Sequence, residues 1–237
     1  MPPAQPNNSL INGLACLQMV ATHDEGIGVR ELARELDLSP TRVSRLLSTL
    51  AHLGLVSQTD RRKYRAGPAI HVLAAQSLHA SPLLGLALPH LQKFRQEGFT
   101  VALGVLWRRQ ICYLFHERPA QNLEESIARH EVYPAECSSA GMVLLAEAAA
   151  PASAESFEGI EYLGEAKDWE ARLATIREQH FAALRFSNGE ISIGAAIGKP
   201  SVAAIAISGQ HFSADFIPGL AERLRQSADA IANQLTG

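Results

Sequence analysis

The chain has 237 residues, 47% of them hydrophobic and 19% charged, with a formal net charge of −3. This describes a globular protein with material for one large or two small domains, and argues against disorder except at the ends, and against a general nucleic-acid coat or a membrane-surface protein. Cys16, Cys112 and Cys137 are odd in number and widely spaced, so neither a disulfide framework nor a zinc site is expected; the start MPPAQPNN lacks a signal-peptide pattern and no apolar run reaches the ~18–20 residues of a membrane span, so a cytoplasmic location is expected.

In chain order, Ser9 to His23 is apolar and amphipathic, with Leu10, Leu14, Leu17 and Val20 spaced for the buried face of a first helix. Leu32, Ala33 and Leu36 recur at helical spacing, and Ser39–Pro40 supplies an N-cap and a first-turn proline for the helix after them. On that helix Val43, Leu46, Leu47, Leu50 and Leu53 share one face, while Thr41, Ser44, Arg45, Ser48 and His52 share the other, with Arg42 on its flank. Gly54 suits a left-handed C-cap, Leu55 and Val56 open an extended arm, Thr59 and Asp60 suit a turn, and the return arm carries Arg61, Arg62, Lys63, Tyr64 and Arg65 before Gly67 and Pro68. Two helices, a turn and a charged hairpin are the pattern of a winged helix-turn-helix.

Residues 39–67 hold six Lys or Arg against one acid, +5 in an otherwise acidic chain. Positive charge gathered on one helix and one hairpin is the electrostatic footprint of a duplex-binding surface. Residues early in a recognition helix reach base edges, which assigns Thr41, Arg42, Ser44 and Arg45 to base reading and Ser48 and His52 to phosphate. Arg61, Arg62, Lys63 and Arg65 are assigned to the backbone or the minor groove.

After Pro68, AIHVLAAQSLHA reads as a linker helix and LLGLALPHLQKFRQE as the first helix of a second domain. FTVALGVLW and QICYLFHE, rich in Val, Ile, Leu and aromatics, read as an antiparallel pair. Leu123 to Arg129 adds a strand, Ser138 to Ala149 and Asp168 to His180 are helices, Phe181 to Phe186 and Ile191 to Ile197 are strands, VAAIAIS is the strongest buried strand, and Phe216 to Leu235 closes the chain as a helix. The domains are therefore 8–67 (winged helix-turn-helix), 68–82 (linker helix) and 83–237, an α+β sandwich with a mostly antiparallel sheet.

The segments ELARELDLSPTRVSRLLSTLAHLGLV, KYRAGP, ALPHLQKF and AAIAISG together resemble the IclR family of bacterial transcription regulators, over about Ser9 to Leu235. The resemblance implies a dimer, or a dimer of dimers, on operator DNA and a GAF-like C-terminal domain whose bound metabolite, often an organic or aromatic acid, alters DNA affinity. It also marks departures. The family's Pro-Leu-His-Ala-Thr-Ala loop followed by Gly-Lys falls on residues 134–142, where His and Lys are both replaced, and the usual acid and Cys fall on Ser187 and Ile197, with Glu190 keeping an acidic position.

For the effector, Glu136, Cys137, Ser138 and Ser139 open a helix whose free N–H groups suit a carboxylate, although Glu136 would oppose one and a plain serine N-cap explains the pattern equally. Glu190, Ser192 and Ser208 add polar candidates; Trp107, Tyr113 and Phe115 are candidates for an apolar wall, or plain core. Cys112 or Cys137 with His116 or His130 could pair a nucleophile with a base, but no nucleophile elbow, phosphate loop or metal-ligand set accompanies them. A non-enzymatic protein without cofactor or metal is expected, either sensing an effector or using its C-terminal domain only to oligomerise.

Overall fold

The computed structural model describes residues 5–119, 132–148, 159–166 and 168–236. Two compact units divide it, one up to Ser81 and one from Pro82. The expected strand at Leu123 to Arg129 lies outside the described residues, as does Ala149 at the end of the expected helix from Ser138.

In the first unit α1 (Asn8–Ala21), α2 (Val29–Glu35) and α3 (Pro40–His52) enclose a small core of Cys16, Val20, Ile27, Leu32, Ala33, Val43, Leu47, Leu50, Val56 and Tyr64. Each start is sequence-encoded: Asn7 accepts from the N–H groups of Ser9 and Leu10, and Ser39 accepts from Arg42 N at 3.3 Å with Pro40 behind it. Gly54, at φ +72°, ends α3 in the left-handed region that a side chain resists. β1 (Val56–Gln58) pairs antiparallel with β2 (Tyr64–Ala66), and Ile27 adds a bridge to Tyr64. α4 (Pro68–Ala80) follows with no buried residue.

Helical spacing misplaced several leucines. Leu53 is 58% exposed, and Leu10 and Leu14 are exposed on α1, whose inward residues are Cys16 and the expected Val20, with Leu17 packed against the core. The apolar face of α1 is wider than its core contact, so periodicity alone could not say which part is covered.

The second unit contains, among the described residues, a seven-stranded sheet in the order β5-β4-β3-β9-β8-β7-β6. Its strands are β3 (Thr100–Trp107), β4 (Gln110–Glu117), β5 (Val132–Pro134), β6 (Ile160–Tyr162), β7 (Phe181–Phe186), β8 (Ile191–Ile197) and β9 (Ala203–Gly209). Every pairing is antiparallel. One face, with Val101, Leu103, Ile193, Ile205 and Ile207, packs on α5 (Leu83–Gln96) and α8 (Ile217–Thr236). The other, with Ala102, Ala182, Leu184, Ala204 and Ala206, packs on α6 (Ser139–Glu147) and α7 (Trp169–Gln179).

The faces differ in size, the first carrying most of the branched residues beside Ala183, Ala195 and Ala203 and the second mostly alanine beside Leu184, and period-2 alternation sends neighbours to opposite sides. The small-residue face lets α6, buried from Ser139 to Ala146, lie close to the sheet. The edge strands β5 and β6 escaped the sequence reading, since three residues are too few to show alternation. No single helix among the described residues is long and apolar enough to cross a membrane.

Candidate DNA interface and ligand cavity

On α3, Thr41, Arg42, Ser44, Arg45, Ser48 and His52 are all exposed, while Val43, Leu47 and Leu50 on the other side are buried. Among the described residues neither Arg42 nor Arg45 is in an ion pair, nor are Arg61, Arg62, Lys63 and Arg65. Their guanidinium and ammonium donors are spent on no protein carboxylate there and stay available to phosphate or base edges.

The hairpin differs from the expectation of a long basic return arm. Its turn runs from Thr59 to Lys63, held by Thr59 N to Lys63 O at 2.8 Å and Arg62 N to Thr59 O at 2.9 Å, so Arg61 and Arg62 sit at the tip and only Arg65 lies on the strand. Arg61, Arg62 and Arg65 are exposed and Lys63 is half-buried.

In the second unit a cavity of about 490 Å³ is lined by Tyr113, His116, Arg118, Tyr133, Cys137, Ser138, Ile160, Phe186, Ser187, Asn188, Glu190, Ser192 and Ser208. Aromatic walls with a few placed polar groups suit a small ligand. A larger hollow of about 590 Å³, at the opposite end of β8, includes the charged side chains of Glu147, Lys199, Arg225 and Asp229 in its lining and no aromatic ring other than His180.

Ser138 is the N-cap of α6: its hydroxyl accepts from Gly141 N at 3.2 Å and also meets the Tyr113 hydroxyl at 2.7 Å. Burial pushes the Tyr113 phenol up from its ordinary value, partly offset by Ser138, whose bond favours the phenolate. Ser138 thus serves as cap and as part of the cavity wall at once. Ser138→Ala is expected to cost about 1 kcal/mol of stability and to push the Tyr113 pKa further up. Urea unfolding and difference absorbance titration against Tyr113→Phe read the two effects, and a variant unchanged in both would strip Ser138 of these roles.

Of the expected effector residues, the structure brings Tyr113, Cys137, Ser138, Glu190, Ser192 and Ser208 to the cavity. Four are placed elsewhere. Glu136 is buried in an ion pair with Arg109, which disposes of its expected repulsion toward a carboxylate. Ser139 is fully buried, bonded to Ser192 at 2.7 Å, behind the cavity wall. Trp107 is 49% exposed at the end of β3, with the Arg108 guanidinium over its ring. Phe115 packs on the opposite face of the sheet, against the α5 and α8 core.

His116, Arg118, Tyr133, Ile160, Phe186, Ser187 and Asn188 were missed. A register shift between Leu103 and Gly104 explains His116: Leu103 pairs with Phe115 and Gly104 with Tyr113, so the bulge leaves Tyr113 and His116, three apart, on one face. No local sequence signal announces such a bulge. Burial raises the thiols of Cys112 and Cys137 above their ordinary value, opposite to what an activated nucleophile needs. His130, the other base considered, lies outside the described residues, and no group of three or more His, Cys, Asp or Glu among those residues could hold a metal ion.

Residues 9–60 match the IclR helix-turn-helix domain model. The acetate operon repressor of Salmonella typhimurium is 31% identical over 100 residues, a match that spans 41% of this chain and 36% of the repressor. A solved IclR-type regulator from Silicibacter sp. TM1040 superimposes with a TM-score of 0.76 at 23% identity, covering 97% of each chain. An IclR homologue from Microbacterium hydrocarbonoxydans, solved in complex with 4-hydroxybenzoate, superimposes with a TM-score of 0.65 at 21% identity, covering 97% of this chain and 99% of its own.

Proposed function

We propose that the chain is an IclR-type, sequence-specific regulator whose operator affinity is set by a small organic acid held in the second unit, a reading supported by the match of residues 9–60 to the IclR helix-turn-helix domain model and by the shared fold. The observation that carries the reading is the bare outer face of α3, where Thr41, Arg42, Ser44 and Arg45 stand exposed beside a wing tipped by Arg61 and Arg62.

A dimer would place two such helices about one duplex turn apart, ~34 Å, on an inverted repeat. The first unit has an apolar surface suited to pairing: Leu10, Ile11 and Leu14 on α1 and Val72, Leu73 and Leu78 on α4 are exposed. For the ligand, the 490 Å³ cavity, its aromatic lining and the N-terminus of α6 favour an aromatic or other cyclic carboxylate. The homologue crystallised with 4-hydroxybenzoate agrees in class. Linkage then requires operator DNA to change the affinity for the acid by the same factor.

The test is binding of the full chain to DNA upstream of its own gene against random DNA of equal length, across a salt series, with and without a panel of acids. Arg45→Ala is expected to cost about 1–3 kcal/mol on the operator and to relax preference at one base pair, while Arg62→Ala weakens both DNAs alike and flattens the salt slope by about one ion. Equal losses on both DNAs for both variants would remove this assignment of roles. Specific binding indifferent to every acid would instead favour a C-terminal unit that only oligomerises.

A further inference from the structure

Opposite walls of the ligand cavity differ in chemistry. Its floor is the part of the small-residue face where Ser208 on β9 pairs with Ser192 on β8, one row beyond Ala206 and Gly194, where α6 lies against the sheet. One wall rises from β4, with His116 paired to Ala102 and Arg118 beyond it. The other is the β7–β8 turn, with Asn188 and Glu190. In the strand order β4-β3-β9-β8 the two walls are three spacings apart, about 14 Å at the backbone. Side chains reaching inward from both leave room for a single ring or a short chain between them.

Glu190 is held in place rather than swinging free: its N–H donates to Asn188 Oδ1 at 2.9 Å and its carbonyl accepts from Phe186 N at 2.9 Å. Its side chain is half-buried and receives the Ser208 hydroxyl. Among the described residues it is in no ion pair. A carboxylate offers about four acceptor positions and no donor, so one hydroxyl leaves most of its capacity unused in a partly desolvated site. Such a group repels a second carboxylate and favours a donor.

We propose that the effector is a monocarboxylic acid bearing a hydrogen-bond donor, hydroxyl or ammonium, at the end remote from its carboxylate, and that Glu190 selects for it. The carboxylate faces Arg118, His116 and the N-terminus of α6, and the donor faces Glu190. The inference rests on the reading of this cavity as the effector pocket.

Calorimetric titration of the full chain with 4-hydroxybenzoate, 4-(aminomethyl)benzoate, 4-methoxybenzoate and terephthalate tests it. One of the first two is expected to bind at least about tenfold tighter than the methoxy ether and the diacid, because an acceptor-only ligand leaves the remaining acceptor positions of Glu190 unfilled. Which one wins distinguishes a hydroxy acid from an amino acid. Glu190→Gln, whose amide both donates and accepts, is expected to shrink that preference to within about threefold. Equal binding of all four by the wild type overturns the selection while leaving the pocket standing, and so does a preference that survives Glu190→Gln. Binding of none overturns the effector pocket itself.

Discussion

Truncating Leu47 to alanine is expected to destabilise the first unit by about 3–4 kcal/mol and to abolish specific DNA binding at 37 °C. Leu47 is fully buried on the inner face of α3, in a core of only ten buried residues. A small core cannot collapse around the lost methyls, so the cavity penalty adds to the lost transfer energy. The figure is a large share of the ~5–15 kcal/mol that holds a whole domain folded. Hydrogen exchange resolved by peptide is the measurement: protection should fall across α1–α3 while the sheet of the second unit retains it. Undiminished protection in α3, or operator affinity equal to wild type, would show that α3 is not held by this core.

The second large effect is expected at Gly194 on β8. A Cβ there would stand 2.5 Å from the Ser139 carbonyl carbon and 2.6 Å from Ala140 N, both backbone atoms of the first turn of α6. Backbone cannot rotate aside as a side chain can, so Gly194→Val must lift the helix from the sheet, at a cost of about 3 kcal/mol or more. The same movement breaks the Ser139–Ser192 bond and displaces Cys137 and Ser138 from the cavity wall. Urea unfolding should show the loss, and acid binding should weaken together with it. An unfolding midpoint like that of the wild type would mean that the close approach of α6 is not required.

These two sites differ in how much the sequence discloses. Leu47 is legible because an amphipathic helix writes its buried face at a fixed period, and Ser39, Pro40 and Gly54 mark its ends through local backbone chemistry. Gly194 reads only as a glycine inside a strand; that it admits α6 follows from contacts with residues more than fifty positions away. Leu10 and Leu14 show the limit from the other side, since period identifies an apolar face but not whether anything covers it.

The sequence by itself determined the helix-turn-helix, the wing and the exposed cations that face outward from them, because caps, turns and helical period act within a few residues. It also determined the main strands, whose apolar runs and alternation are local. Only the tertiary structure decided the cavity. Tyr113 and His116 share a face because a bulge shifts the register of β3 and β4, Glu136 is withdrawn into its pair with Arg109, and Glu190 meets Ser208 because β8 and β9 are neighbours in the sheet. Strand order and register are set by long-range pairing, and no short stretch of chain carries that information.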